Sequence, residues 1–381
     1  MKFERVLGLE YIKSHLKNST EKGRISHAQL FVGNEGVGLL PMALAYATHL
    51  ICNSSNNSEI ALQKCEKFGH PDMHFAFPTA TTEAIKPKKP ISNLFLEEWR
   101  KFISQNPYQN LYEWMQFIGV EKKQGNISVH EAADIVKTLK LKSYEGGYKV
   151  MIIWMAEKMN TEAANKLLKL IEEPPEKTVF LLLTENEDLI LPTIKSRCQT
   201  LYFPLLSEDE IIHGLTTFEN ASLAEANRIA KQSDGNYNKA LHILKNNDTA
   251  AEFETWFIQW VRAAFKAKNN AAVIQDLISW SETIAKTSRE KQTRFLKYCL
   301  QFFRQALLIN YKASSLTYLK PTSTSFKLEN FAPFIHGSNI LAINKEINDA
   351  IYLIERNGNS KIVLLDLSIK LTRLLHTKEN A

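Results

Sequence analysis

The sequence predicts an α/β domain built on a parallel sheet, followed by an all-helical region. Two continuous apolar runs, Lys149–Ile153 and Thr178–Leu183, are typical of strands that are covered on both faces. Between them, Thr161–Glu172 places apolar side chains at helical spacing, and Pro174-Pro175 ends that helix. A strand, a helix and a strand joined by short connections indicate a parallel sheet with right-handed crossovers.

A strand, a glycine-rich loop and a helix also open the predicted domain. Gln29–Val32 (QLFV) is a short apolar run, and the loop Gly33–Gly38 (GNEGVG) follows it directly. Leu39–Ile51 then has a helical pattern, with Pro41 in the first turn, where the missing N–H costs no hydrogen bond. We therefore assign residues 1–204 to an open α/β domain.

Helical patterns replace strand patterns after residue 204. Ser207 and Glu210 have the spacing of a capping box, which predicts the start of a helix, and Gly235-Asn236 interrupts the periodicity that follows. Further on, aromatic residues recur at the spacing of a buried helix face: Phe253, Trp256, Phe257 and Trp260. The sequence therefore predicts a small helical domain over residues 205–248 and a helical bundle over residues 249–381.

The composition of the 381 residues excludes several classes of protein. Apolar residues make up 44% and charged residues 23%, which is ordinary for globular domains and excludes a disordered or fibrous chain. Apolar runs are far shorter than the roughly 20 residues that span a bilayer, and no secretory signal is visible, so we expect a cytoplasmic protein with no membrane partner. The net charge of +6 permits contact with nucleic acid without requiring it.

The glycine-rich loop has the layout of a phosphate-binding loop without its phosphate chemistry. Gly33 and Gly38 have the required spacing, but Leu39 and Leu40 stand where such a loop carries a lysine and a Ser or Thr that binds Mg²⁺. At the end of the Lys149–Ile153 run, Trp154-Met155 likewise replaces the acidic pair of an active ATPase, and Glu157 lies further on. We therefore predict a degenerate nucleotide site that is empty, with no cofactor; the alternative for the two glycines alone is an ordinary turn.

Four segments resemble a known family. Arg24–Val32 (RISHAQLFV), Asn160–Pro175 (NTEAANKLLKLIEEPP), Thr178–Thr184 and Ile194–Cys198 (IKSRC) are similar to the bacterial clamp-loader AAA+ subunits, namely the delta-prime and gamma/tau subunits of DNA polymerase III. The resemblance covers residues 1–245, with an insertion near 79–125. It implies a RecA-like AAA+ domain, a small helical lid and a C-terminal collar that assembles a pentamer.

Within this family the chain resembles the delta-prime subunits, which do not hydrolyse ATP. The degenerate loop favours this assignment over gamma/tau, and Asn238 stands where an active lid carries an arginine that senses the γ-phosphate. Thr184 or Asn186 matches the position of the family's first sensor, although a simple turn residue is the other interpretation of each. An active AAA+ ATPase and a diverged interaction module remain the two alternative functions.

The resemblance also implies a role for the Ser196–Cys198 motif. In the family, the arginine of this motif, here Arg197, reaches across a subunit interface to the ATP of a neighbouring subunit, while Ser196 and Cys198 position the turn. An arginine suits this task because its planar, permanently charged fork can spread over developing phosphate charge. Without the resemblance, Arg197 would be interpreted as a surface residue.

The implied partners are the gamma/tau and delta subunits in a hetero-pentamer, and through them the sliding clamp and primer-template DNA. Many relatives carry a four-cysteine zinc module near the first helix. Here only Cys52, Cys65, His70 and His74 could form such a set, and their spacing fits no common zinc pattern. We therefore predict no metal site.

Overall fold

The computed structural model describes residues 1–55, 57–82, 90–121, 123–245, 249–267, 273–313, 317 and 326–378. The chain forms two compact units, Met1–Leu244 and Lys245–Ala381. The first contains a parallel sheet with helices and the second contains helices, so the predicted fold class is confirmed. Within the described ranges, no helix combines the length and apolar character that crossing a membrane requires.

Five parallel strands form the sheet of the first unit, in the order β2-β3-β4-β1-β5. Their bounds are β1 Ala28–Val32, β2 Met73–Ala76, β3 Lys149–Ile153, β4 Thr178–Thr184 and β5 Gln199–Tyr202. The three central strands are those that the apolar runs predict. The two edge strands, β2 and β5, are short and were not predicted.

Eleven α-helices accompany the sheet in the described part of the first unit. They are α1 Glu10–Glu21, α2 Leu39–Ser54, α3 Ser58–Glu66, α4 Leu96–Gln105, α5 Leu111–Phe117, α6 Val129–Leu139, α7 Thr161–Glu172, α8 Pro192–Lys195, α9 Glu208–Phe218, α10 Leu223–Ser233 and α11 Tyr237–Leu244. The capping box predicted at Ser207 and Glu210 is present at the start of α9. Helix α10 ends just before Gly235, where the sequence predicts a break. The predicted boundary at residue 204 between an α/β domain and a separate lid stays a prediction.

Each face of the sheet has its own hydrophobic core. Along β3, Val150 and Ile152 point into the core that contains α2, whereas Met151 and Ile153 point into the core that contains α6 and α7. Strands covered in this way need apolar residues at every position, which explains why β3 and β4 are continuous apolar runs.

The insertion near 79–125 contributes to the first of these cores, although its residues 83–89 and 122 lie outside the described ranges. Helices α4 and α5 come from it, and they bury Trp99, Phe102 and Trp114 almost completely. The ring of Trp99 stacks on Phe77, just after β2, with 4.2 Å between centroids. The insertion is therefore integral to the packing of the α/β domain.

Within its described residues, the second unit is helical wherever it has regular secondary structure. Its helices are α12 Thr249–Ala267, α13 Ile274–Ala285, α14 Arg289–Asn310, α15 Leu328–Phe331, α16 Gly337–Glu355 and α17 Ser360–Leu374. The four aromatic residues that predicted a buried face on α12 all lie in the hydrophobic core of this second unit. Trp260 stacks on Trp280 of α13 with 5.0 Å between centroids, and its Nε1–H donates to Ser368 Oγ of α17 at 2.9 Å.

Candidate functional site

The phosphate-loop residues Gly33–Gly38 connect β1 to α2, as the sequence predicts. The Gly33 N–H donates to the Thr184 carbonyl at 3.2 Å, and a Cβ on Gly33 would lie 2.8 Å from Phe203 Cβ. Gly38 is the residue before α2 and has a φ of 103°, which lies in the left-handed region that favours glycine. Both glycines are therefore required by local packing or by backbone conformation.

The two residues after the loop turn toward the protein interior. Leu40 is 2% exposed, and the partly buried Leu39 packs against the same core. Neither side chain carries a charge or a metal-binding oxygen. The N–H groups at the start of α2 are the remaining feature that favours an anion there.

The second nucleotide element, after β3, is occupied by an aromatic ring. Trp154 is 5% exposed and its ring lies 5.1 Å from that of Trp99 in the insertion. Glu157, the remaining acid, accepts a hydrogen bond from the Glu185 N–H at 3.2 Å, and its Oε2 is buried with no partner among the described residues. Burial raises the pKa of Glu157, which favours the protonated carboxyl over a metal ligand.

A residue of the insertion fills the space beside the phosphate loop. The Tyr108 ring lies against Gly38, and its hydroxyl accepts the Leu7 N–H at 2.9 Å. The cavity that remains between the loop, Trp154 and Tyr108 measures about 30 Å³. This is the volume of about one water molecule, whereas typical ligand pockets measure roughly 300–1,000 Å³.

Asn238, at the predicted sensor position, is 1% exposed and bonded to the insertion. It accepts from Asn106 Nδ2 at 3.1 Å and donates to Glu113 Oε2 at 2.7 Å. His242, one helical turn later in α11, lies 2.5 Å from Glu113 Oε1. Burial disfavours the ionised form of Glu113, but the hydrogen bond and charge of His242, with further hydrogen bonds, hold the pKa of this carboxyl below its ordinary value.

The two candidates for the first sensor take part in a local turn. Thr184 Oγ1 donates to the Asn186 carbonyl at 3.1 Å, and the Asn186 side chain accepts the Asp188 N–H at 3.0 Å. These contacts match the turn interpretation of both residues.

Arg197 lies in the turn between α8 and β5. Its Nε donates to Glu172 Oε2 at 3.0 Å and its Nη1 donates to the Thr193 carbonyl at 2.9 Å, while 33% of the side chain remains exposed. Ser196 Oγ donates to the same carbonyl at 3.2 Å. The Cys198 N–H donates to the Lys195 carbonyl at 3.2 Å, and burial raises the pKa of its thiol to about 11. Ser196 and Cys198 thus stabilise the turn that carries Arg197.

The strand register separates Arg197 from the phosphate loop of its own chain. Gln199, the first residue of β5, pairs with Gln29 of β1, and the loop begins four residues later at Gly33. At about 3.3 Å per residue, these positions lie at least roughly 13 Å apart along the strand axis. Arg197 precedes β5 by two residues and lies where the strands begin, which we call the amino edge of the sheet. The phosphate loop lies where the strands end, which we call the carboxyl edge.

Exposed apolar side chains also lie in the segment after β4 and at the carboxyl end of β5, where Tyr202 pairs with Val32. Glu187 accepts from Lys195 Nζ at 2.6 Å and from the Tyr202 hydroxyl at 3.0 Å, which fixes the surrounding loop. Leu189 and Tyr202 remain 56% and 60% exposed. Exposed apolar groups rimmed by polar ones are typical of protein–protein contacts.

The candidate zinc ligands do not form a cluster. Among the residues that the structure describes, no three His, Cys, Asp or Glu side chains come together in a way that could hold a metal ion. Cys52 and Cys65 are free thiols.

Sequence reasoning missed the insertion residues that reach this site, above all Tyr108 and Glu113. One local signal was available, because Asn110 and Glu113 have the spacing of a capping box, and that box is present at the start of α5. It predicts a helix start but not what the helix contacts.

Comparisons with known proteins agree with this fold. Residues 8–207 match the sequence model of a family described as DNA polymerase III, delta subunit. The chain is 29% identical over 264 residues to DNA polymerase III subunit delta' of Bacillus subtilis, an alignment that covers 67% of this chain and 65% of the relative. DNA polymerase III subunit tau of the same organism is 27% identical, over 64% of this chain and 37% of its own length.

Solved structures give weaker similarity. A gamma subunit-related protein of Thermotoga maritima is 15% identical with a TM-score of 0.37, covering 95% of this chain and 99% of its own. The RuvB Holliday junction branch migration motor of that organism is 15% identical with a TM-score of 0.40, over 85% and 86%. The sequence alignments span less than two thirds of the curated relatives above, but the family model covers more than half of this chain. The chain therefore belongs to the clamp-loader family of DNA polymerase III subunits, with delta-prime, gamma and tau subunits among its relatives.

Proposed function

We propose that this chain is a delta-prime-like subunit of a DNA polymerase III clamp loader, that it does not hydrolyse ATP, and that Arg197 completes the ATP site of a neighbouring subunit. Its partners are gamma/tau and delta subunits in a hetero-pentamer, which loads the sliding clamp onto primer-template DNA. The observation that carries the proposal is the contrast between the two edges of one sheet. Buried side chains cover the chain's own phosphate loop, whereas Arg197 keeps 33% of its side chain exposed at the opposite edge.

Three features of the phosphate-loop edge support the proposal that the chain does not hydrolyse ATP. Leu39 and Leu40 cannot balance phosphate charge or bind Mg²⁺, and Trp154 occupies the position of a metal-binding acid. The cavity beside the loop measures about 30 Å³, far below the roughly 300–1,000 Å³ of typical ligand pockets. Each feature alone would weaken nucleotide binding, and they occur together.

The state of Arg197 supports the proposed role in trans. Its ion pair with Glu172 is more than half exposed on the glutamate side, and such pairs contribute only about 0–1 kcal/mol. A phosphate presented by a neighbour therefore competes easily for the guanidinium. Arginine fingers of this kind accelerate hydrolysis by roughly 10³–10⁵ at the site they complete.

The test is the clamp-stimulated and DNA-stimulated ATPase rate of the reconstituted complex. Arg197→Ala is expected to leave the complex assembled and to abolish hydrolysis at one site, so that the total rate falls without vanishing. Arg197→Lys should rescue poorly because an ammonium group cannot form the bidentate fork. Arg228→Ala, at an exposed arginine on α10, is the matched control. Unchanged hydrolysis at every site in Arg197→Ala would refute the role.

Assembly is assigned to the C-terminal unit, as the collar of the pentamer. It is a compact unit with its own core, so a chain ending at Leu244 should keep its α/β fold. This truncated chain is expected to lose co-elution with the partner subunits, while thermal unfolding followed by circular dichroism still shows a cooperative transition of the α/β unit. Entry into the complex with unchanged affinity would contradict the collar assignment.

A further inference from the structure

The insertion near 79–125 reaches both the phosphate loop and the helices α9–α11, which we call the lid helices. We propose that the insertion is a built-in strut that fixes the lid helices on the α/β domain in one orientation, in the place of a bound nucleotide. The inference goes beyond the role of Arg197, which it neither requires nor supports.

The base of the strut is rigid because it belongs to the hydrophobic core. Trp99 and Trp114 are fully buried and meet edge to face, with 5.2 Å between ring centroids. Trp114 Nε1–H also donates to the Pro78 carbonyl at 2.9 Å. The Ser92 N–H, before α4, donates to the buried carboxyl group of Glu131 in α6 at 2.6 Å. Both ends of the described insertion are thus attached to the α/β domain.

The tip of the strut, Asn106–Asn110, is organised by its own hydrogen bonds. Asn106 Oδ1 accepts the Tyr108 N–H at 2.9 Å, and Gln109 Nε2 donates to the carbonyls of Phe102 and Asn106, each at 2.9 Å. Asn110 and Glu113 then form the capping box that starts α5. A tip held in this way presents its side chains in a fixed geometry.

The tip contacts the phosphate loop on one side. Tyr108 packs against Gly38, and Asn110 Nδ2 donates to Glu35 Oε1 of the loop at 2.9 Å. Asn236, just before α11, reaches the same Glu35 oxygen at 3.5 Å. The loop that would bind a phosphate in an active subunit instead accepts hydrogen bonds from the insertion and from the residue before α11.

The tip contacts the lid helices on the other side. Glu113, whose side chain is 12% exposed, accepts from Asn238 and is paired with His242, both of α11. The Tyr108 ring meets the Tyr237 ring edge to face at 5.0 Å between centroids. A buried carboxylate with charge-assisted hydrogen bonds is costly to separate from its partners, so these contacts resist movement of α11.

Hydrogen exchange of the full chain tests the strut. In Glu113→Ala, the amides of Tyr237–Leu244 are expected to exchange about tenfold faster or more, while those of β4 keep their protection. Glu97→Ala, at an exposed glutamate of the same insertion, is the matched control and should behave as the wild type. Equal lid exchange in Glu113→Ala and Glu97→Ala would overturn the proposal.

A second variant and the addition of nucleotide complete the hydrogen-exchange test. If Glu113→Ala loses protection throughout the α/β domain, Glu113→Gln removes the charge at nearly the same size, and selective lid exchange is again required. Millimolar Mg·ATP added to the wild type is expected to leave lid exchange unchanged, and ATP-dependent protection of α11 would overturn the claim that the strut replaces nucleotide. Neither arm involves Arg197, so failure here leaves the proposed role in trans intact, and the reverse also holds.

Discussion

At the carboxyl edge of the sheet the phosphate loop is covered by the buried residues Tyr108 and Trp154, whereas at the amino edge Arg197 keeps a third of its side chain exposed. The first edge is closed by aromatic packing, buried hydrogen bonds and a buried carboxylate. The second edge consists of a short turn and a partly exposed ion pair. Residues of the first edge thus make buried contacts within their own chain, whereas Arg197 at the second edge makes partly exposed ones.

Under the function that we propose, this difference reflects the loss of nucleotide chemistry at the first edge. A site for ATP must keep space, polar groups and freedom for the lid to move. Once that requirement is absent, aromatic side chains can fill the space, and each large buried ring stabilises the fold by several kcal/mol. An arginine that acts on another molecule gains nothing from burial, because it must exchange its partner at low cost.

The largest expected effect comes from removing the centre of the closed edge. Trp99→Ala should lower the free energy of unfolding by about 3–5 kcal/mol, because Trp99 is fully buried and its ring packs against Phe77, Trp114 and Trp154. Urea unfolding followed by circular dichroism measures the change. Tyr11→Ala, at an aromatic residue that is 84% exposed, should stay within about 0.5 kcal/mol. A similar loss in both variants would show that the closed edge is not specially stabilised.

The next effect concerns nucleotide binding at the closed edge. Restoring the phosphate-loop residues with Leu39→Lys and Leu40→Thr should give no saturable binding of a fluorescent ATP analogue at millimolar concentration, because Tyr108 still fills the space. Adding Tyr108→Ala should tighten binding by at least about tenfold. Adding Tyr144→Ala instead, at an exposed tyrosine, serves as the control. Tight binding by the double variant alone would mean that Tyr108 does not block the site.

A third effect is a pH dependence at the attachment of the insertion. Burial raises the pKa of Glu131 from 4.5 to about 7, so the protonated form is favoured in the folded chain. The stability that this group contributes is therefore present below pH 4.5 and is lost as the pH rises through about 7. Glu131→Gln should become more stable relative to the wild type over this interval, as measured by urea unfolding at each pH. Glu97→Gln should track the wild type, and a flat difference for Glu131→Gln would contradict the assignment.

The smallest effect is expected at the open edge. Glu172→Gln removes the ion pair of Arg197 and should change the free energy of unfolding by less than about 1 kcal/mol, because both groups are partly exposed. The adjacent exposed residue provides the control, Glu173→Gln. A cost of more than about 2 kcal/mol for Glu172→Gln alone would place Arg197 in a structural role and remove the contrast between the two edges.

Local patterns were sufficient for the central sheet and the helix starts. Strands β3 and β4 are buried on both faces, so all their residues except Lys149, Thr178 and Thr184 carry the apolar signal. Ser207 marks a helix start through a hydrogen bond three residues away. The edge strands β2 and β5 were missed because they are four residues long and include polar positions, such as His74 and Gln199. The replacement of the lysine and of the acidic side chains is visible in the sequence itself, and the degenerate nucleotide site that it indicates stays a prediction.

What the sequence by itself determined is therefore the chemistry that each segment can or cannot perform: the glycines of a phosphate loop, the leucines that follow it, and an arginine in a turn. The tertiary structure alone decided where those segments meet. Tyr108 reaches Leu7 across 101 residues, and Glu113 reaches His242 across 129. Such contacts depend on loop closure and on the packing of a whole core, which no local periodicity encodes. The insertion could for that reason be located in the sequence, but its position in the nucleotide site could be found only in the folded chain.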